Sequence, residues 1–235
     1  MGVIIRIVSV QFKVKICCIS SQEEAEMAIQ AGAAALGLVG RMPSGPGVIS
    51  DELIARIAAA VPSPVATFLL TSETDAQAVI AHHQKAGTST IQIVDDLTTG
   101  AYADIRAALP GVSLVQVIHV TGEESIDAAL AVAGQVDYLL LDSGNPNLAV
   151  KELGGTGRTH NWAISRRIVA QSPVPVFLAG GLRPDNVRAA LDAVQPYGLD
   201  LCSGVRTDGR LDPWKLEQFF SAVSNHSKYF PTELV

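Results

Sequence analysis

The chain has 235 residues, 48% of them hydrophobic but only 5% aromatic, so its core must be built mainly from Ala, Val, Ile and Leu. That composition suits parallel strands covered on both faces by helices. A formal charge of −6, with no long run of Lys or Arg, excludes a nucleic-acid-binding surface, and no apolar run is long enough to span a bilayer.

Residues 1–12 read as an extension, too short in their apolar part for a secretory signal. Strand one is Val14–Ile19, carrying Cys17 and Cys18 at its end. Alternation along a strand turns Cys17 toward a central cavity and Cys18 outward toward the helices. Ser21 and Glu24 have the spacing of a capping box, which starts a helix over 22–31. The apolar run 34–39 is strand two, and a Gly- and Pro-bearing loop over 40–47 follows. Ser50 caps a second helix whose Leu53, Ile54, Ile57 and Val61 recur at helical spacing.

Strand three covers 65–70, helix three about 74–85, and strand four 90–94, closed by the acidic pair Asp95-Asp96. His82 and His83 are expected on an exposed helix surface, without metal-site spacing. Helix four spans 102–109, strand five 114–120, helix five 123–132 and strand six 136–142. Helix six spans 162–170 and strand seven 174–179. Pro184 opens a helix with Val187, Leu191 and Val194 on one face. Strand eight is 199–202, a last helix runs from Pro213 to Val223, and 224–235 form a polar tail.

Eight strand-helix units without a composition break predict a single (β/α)8 TIM barrel over 13–223. The runner-up is an open doubly wound sheet. It lacks a glycine fingerprint, because Gly154-Gly155-Thr156-Gly157 follows a loop instead of a strand. In a barrel, function gathers where strands end. Those ends supply Cys17, Asp142, Gly180-Gly181 and Ser203-Gly204. Asp142 ends an apolar strand, where poor solvation raises a carboxyl pKa and fits it to carry a proton. The glycine-bearing ends of strands seven and eight can offer bare amides to a phosphate. His119, at the end of strand five, is a further candidate contact, and Cys202 reads as cavity lining. Together these suggest a phosphorylated small substrate faced by an acid and a base.

At this point the residues carry a resemblance. Lys15-Ile16-Cys17, Gln92 in strand four, Leu140-Leu141-Asp142-Ser143, Gly154-Gly155-Thr156-Gly157 before Trp162, Leu178 to Leu182, and Tyr197 to Asp200 with Ser203-Gly204-Val205 are similar to the phosphoribosylanthranilate isomerase family of tryptophan biosynthesis. The resemblance spans about 13–223. It implies Cys17 as general base and Asp142 as general acid in an Amadori rearrangement, with no cofactor or metal. It further implies substrate or phosphate binding by Gly155, Gly180, Gly181, Asp200, Ser203 and Gly204; Lys15, Arg41, Gln92 and Arg206 are possible substrate contacts beside them. A free thiol near pKa 8.5 is only a few per cent ionised at neutrality, so a cation such as Lys15 would help.

Four positions depart from the family pattern. Cys18 stands where the family has glycine, and Ser44-Gly45-Pro46-Gly47 aligns with a Ser-Pro-Arg whose arginine grips the anthranilate carboxylate. Val94-Asp95 replaces a His-Gly, and Arg206 replaces a common glutamate. Three functions stay open on this reading: the tryptophan-pathway isomerase with Arg41 or Arg206 substituting, a paralogous isomerase on another phosphorylated aminosugar or sugar, and a phosphosugar-binding barrel without turnover. Cysteine usage fits a reducing cytoplasm, and the assembly is expected to be a monomer or homodimer.

Overall fold

The computed structural model describes residues 12–226 apart from 146, 149 and 156. The expected extension over 1–11 and the tail beyond 226 lie outside the described residues. Eight parallel strands close into one barrel: β1 (Lys13–Ile16), β2 (Ala35–Val39), β3 (Ala66–Thr71), β4 (Thr90–Ile93), β5 (Ser113–His119), β6 (Tyr138–Asp142), β7 (Val176–Leu178) and β8 (Gly198–Leu201). Closure comes from β1 pairing with β8, Lys15 opposite Asp200, which disposes of the open-sheet alternative. Helices α1 (Gln22–Ala31), α2 (Asp51–Ala60), α3 (Ala76–Ala86), α4 (Tyr102–Ala108), α5 (Glu124–Ala133), α6 (Trp162–Gln171), α7 (Val187–Val194) and α8 (Pro213–His226) follow the strands in turn.

Local chemistry sets these boundaries. Ser21 and Ser50 each accept a hydrogen bond from a backbone amide three residues on, and Gly32 leaves α1 at a φ of 107° that favours glycine. Strand alternation then divides the apolar residues into two cores. Leu36, Leu69, Ile91, Leu139 and Leu199 face the helices, whereas Ala35, Phe68, Val115, Leu140 and Phe177 fill the barrel interior. Each fully buried Leu or Ile contributes about 1.5–3 kcal/mol.

The structure corrects the expected elements in four places. β1 stops at Ile16 instead of Ile19, because Cys18 takes a φ of 62° that no strand continues. His83 is buried with Nε2 on the Thr88 carbonyl, and His82 bridges Thr71 Oγ1 and Asp51, so neither is a free surface histidine. A short hairpin, β9 (Arg206–Thr207) with β10 (Arg210–Leu211), follows β8, turned by Asp208 and Gly209 at positive φ. Finally, α8 continues through Ser224 to His226, residues expected in the tail.

Candidate active site

Cys17 and Asp142, delivered by the ends of β1 and β6, with β7 and β8 between them around the ring, line one cleft of about 710 Å³ that includes the space at its open mouth. Both are buried, Cys17 at 6% exposure and Asp142 at 7%. Burial is the largest influence on Asp142 and lifts its pKa above the ordinary carboxylate value, with Asp200 pushing the same way. The Ser143 amide, His119 and Lys15 pull against it without reversing the direction.

One pleat below Cys17, Lys15 is wholly buried and donates to Asp200 Oδ1 at 2.9 Å. Its ammonium also lies 5.2 Å from the centroid of the Phe68 ring. Burial alone would lower the lysine pKa, but the Asp200 carboxylate and then the Cys17 thiol outweigh it and hold it above its ordinary value. Lys15 is therefore a charged neighbour of the thiol, already committed to a carboxylate. Gly37 of β2 makes room for both groups, since a Cβ there would sit 2.8 Å from Cys17 Sγ and 3.0 Å from Lys15 Nζ. A Cβ on Gly154 would likewise stand 2.9 Å from Asp142 Oδ2, so this glycine lets the loop close over the carboxyl.

Gly155, Gly180, Gly181 and Ser203 line the same cleft. Gly180 and Gly181 hold φ of 82° and 61°, the left-handed backbone that glycine adopts freely. His160 lies behind Gly180, and burial pushes its pKa down to about 4, so it adds no charge there. Gly204 does not line the cleft; it packs the loop after β8 against the Leu182 carbonyl, which a Cβ would meet at 1.9 Å. Asp200 does line it, but as the partner of Lys15 and not among the glycine amides. Gln92 faces the cleft, 3% exposed, with Oε1 lacking a hydrogen-bond partner among the described residues.

The remaining candidates sit elsewhere. Arg41 is exposed and off the cleft, its carbonyl accepting from Ser72. His119 turns Nε2 to the Val94 carbonyl, packs against Gly144 and lines no part of the cleft. Arg206 is buried as a brace, donating to both carboxylate oxygens of Glu24 at 2.8 and 3.1 Å and to the Cys17 and Cys18 carbonyls. Asp95, in place of the family glycine, forms an ion pair with Lys151. Among the described residues, no Lys or Arg lines the cleft.

Cys18 overturns the expected outward orientation. Its left-handed backbone breaks the alternation and turns the thiol to the cleft edge, where Cys202 Sγ approaches Cys18 Sγ to 2.7 Å. The same φ of 62° accounts for the family's preference for glycine there. Gly47, in the loop stretch that aligns with the family's Ser-Pro-Arg, has φ of 80°, and a Cβ on it would fall 2.5 Å from Cys18 Cβ. The two departures are thus one steric event: a side chain at 18 takes the room that a side chain at 47 would need. Sequence periodicity carries no sign of this, nor of the shielding roles of Gly37 and Gly154.

A family model described as N-(5'phosphoribosyl)anthranilate (PRA) isomerase matches residues 14–222. N-(5'-phosphoribosyl)anthranilate isomerase 2 of Methanosarcina mazei is 34% identical over 215 residues, covering 91% of this chain and 94% of its own. The crystal structure of phosphoribosyl anthranilate isomerase from Thermotoga maritima superposes with a TM-score of 0.76 at 25% identity, over 91% of this chain and 99% of that one. A further solved phosphoribosyl anthranilate isomerase, in complex with reduced 1-(o-carboxyphenylamino)-1-deoxyribulose 5-phosphate, shares the fold with a TM-score of 0.73 at 23% identity, over 91% and 99% of the two chains. On the matched length, the shared barrel and the placement of its strand ends, this chain belongs to the phosphoribosylanthranilate isomerase family.

Proposed function

We propose that this chain is an isomerase of tryptophan biosynthesis that converts N-(5'-phosphoribosyl)anthranilate to 1-(o-carboxyphenylamino)-1-deoxyribulose 5-phosphate, with Asp142 as general acid and Cys17 as general base. The observation that carries the reading is that these two buried groups, from the ends of β1 and β6, share one cleft that Gly155, Gly180 and Gly181 also line. The raised pKa of Asp142 keeps a proton available for the furanose ring oxygen. Protonation there breaks the C1–O bond and leaves an iminium, which acidifies the adjacent C2–H. Cys17 as thiolate removes that proton; its electron pair forms the enolamine, which ketonises. Each step is a proton transfer or a bond shift within the substrate, so the reaction calls for no cofactor.

Gly155, Gly180, Gly181 and Ser203 would take the phosphate, and the unpartnered Gln92 Oε1 would accept from a sugar hydroxyl or the bridging amine. The catalytic unit is the barrel itself, beginning at residue 13, with 1–12 as an extension. A cytoplasmic monomer or homodimer fits a biosynthetic enzyme, and no helix among the described residues is long and apolar enough to cross a membrane.

Among the described residues no Lys or Arg lines the cleft, which favours one second reading: the same acid and base acting on a phosphorylated aminosugar without an anthranilate carboxylate. Incubating the protein with phosphoribosylanthranilate and following the decay of its fluorescence distinguishes the two. Turnover lost on Cys17→Ala and on Asp142→Ala supports the first. No turnover at high enzyme concentration removes it, and a thermal-shift panel of phosphorylated aminosugars then tests the second.

A further inference from the structure

Two of the three cysteines play no part in this chemistry, yet they meet at the mouth of the cleft. Cys18 comes from the end of β1 and Cys202 from the end of β8, and both are free thiols. Their sulfurs lie 2.7 Å apart and need close by only about 0.7 Å to reach the disulfide bond length of about 2.05 Å. Access exists, since both line not only the main cleft but also an adjoining groove with Ser20, Gly47 and Arg206. We propose that Cys18 and Cys202 form an oxidation site: a hydroperoxide converts the pair to a disulfide and leaves Cys17 as a free thiol.

The surroundings divide the labour between the two sulfurs. The hydrogen bond with Cys18 is the largest influence lowering the Cys202 pKa, and the Arg206 guanidinium adds to it against burial and Asp200. Hydrogen bonds with Cys17 and Cys202, together with burial, raise that of Cys18. Cys202 is therefore the attacking thiolate and Cys18 the resolving thiol. In the first step, the Cys202 sulfur bonds to the distal oxygen of the hydroperoxide and the O–O bond breaks. The sulfur is oxidised to a sulfenic acid, and the leaving alkoxide or hydroxide takes up a proton. In the second, the Cys18 sulfur attacks Cys202; the S–S bond forms, the S–O bond breaks, and the hydroxide leaves with the thiol proton as water. The net change is two thiols and one hydroperoxide to one disulfide, one alcohol or water, and one water. The arrangement requires the left-handed backbone at 18, which turns that thiol away from the helices and onto Cys202.

The test treats the reduced full-length protein with one equivalent of hydrogen peroxide, alkylates the remaining thiols and measures intact mass. The expected result is a fall from the three alkylatable thiols of the untreated chain to one, reversed by dithiothreitol. The Cys17→Ser variant should retain none after peroxide, whereas Cys202→Ser should keep both of its thiols. In Cys18→Ser, a dimedone adduct should appear on Cys202. Three alkylatable thiols persisting in the treated wild type would overturn the proposal. So would two persisting in Cys17→Ser, or the loss of both in Cys202→Ser, because either assigns the bond to Cys17.

Discussion

Exchanging Asp142 for Asn should weaken the enzyme while strengthening the fold. The amide is close in shape to the carboxyl and can keep the hydrogen bond from the Ser143 amide, so the loop at Gly154 need not move. It cannot deliver a proton, which removes about 10²- to 10⁴-fold of rate, or roughly 3–5 kcal/mol of transition-state stabilisation. Stability moves the other way. Because burial raises the Asp142 pKa, the folded chain keeps this proton over a pH window in which the unfolded chain has released it. The fold is uncompromised below the unfolded carboxylate pKa, loses stability as pH rises through the window, and carries the full penalty above it. Asn bears no such penalty, so the variant should be more stable than the wild type at neutral pH and no more stable at acidic pH. Urea unfolding at a series of pH values reads the stability, and initial rates read the activity. A variant that keeps more than about a tenth of wild-type turnover, or one whose stability gain is the same at every pH, refutes the reasoning.

Three further expectations rest on the same geometry. Lys15→Met strands a buried Asp200 carboxylate and should cost about 3–5 kcal/mol in urea unfolding, much of it recovered when Asp200→Leu is added. Gly37→Ala drives a methyl into the Cys17 sulfur and the Lys15 ammonium. It should cost about 1–3 kcal/mol and lower kcat more than it raises KM for the substrate. Gly47→Arg alone should destabilise by about 1–3 kcal/mol through its contact with Cys18; combined with Cys18→Gly it should lose less than the sum and lower KM for phosphoribosylanthranilate.

Much of the fold is legible because it follows from local rules. Ser21 and Ser50 announce their helices, and the apolar run 136–142 announces a strand that the structure places at Tyr138–Asp142, so the barrel emerges from counting. Asp142 and Cys17 are legible as well, since a polar group ending an apolar run must surface at the rim. What escapes is anything decided by backbone torsion or by partners far along the chain. Cys18 looks like the next alternating residue of a strand, and only its φ reveals that it faces the cleft. Arg206 looks like a spare rim cation, yet Glu24, 182 positions earlier, claims it. His83 looks exposed because the helix pattern does not disclose that its imidazole caps the Thr88 carbonyl. Gly37 and Gly154 have no pattern at all, because their function is to leave room for atoms that arrive from other strands.

The ring is sealed where the first strand meets the last, by Lys15 and Asp200 facing one another across the seam. The sulfur assigned to proton removal rides on the strand that stays without this neighbour until the far end of the chain has been made. A growing polypeptide therefore cannot close its circle until the eighth stave has been made and seated against the first.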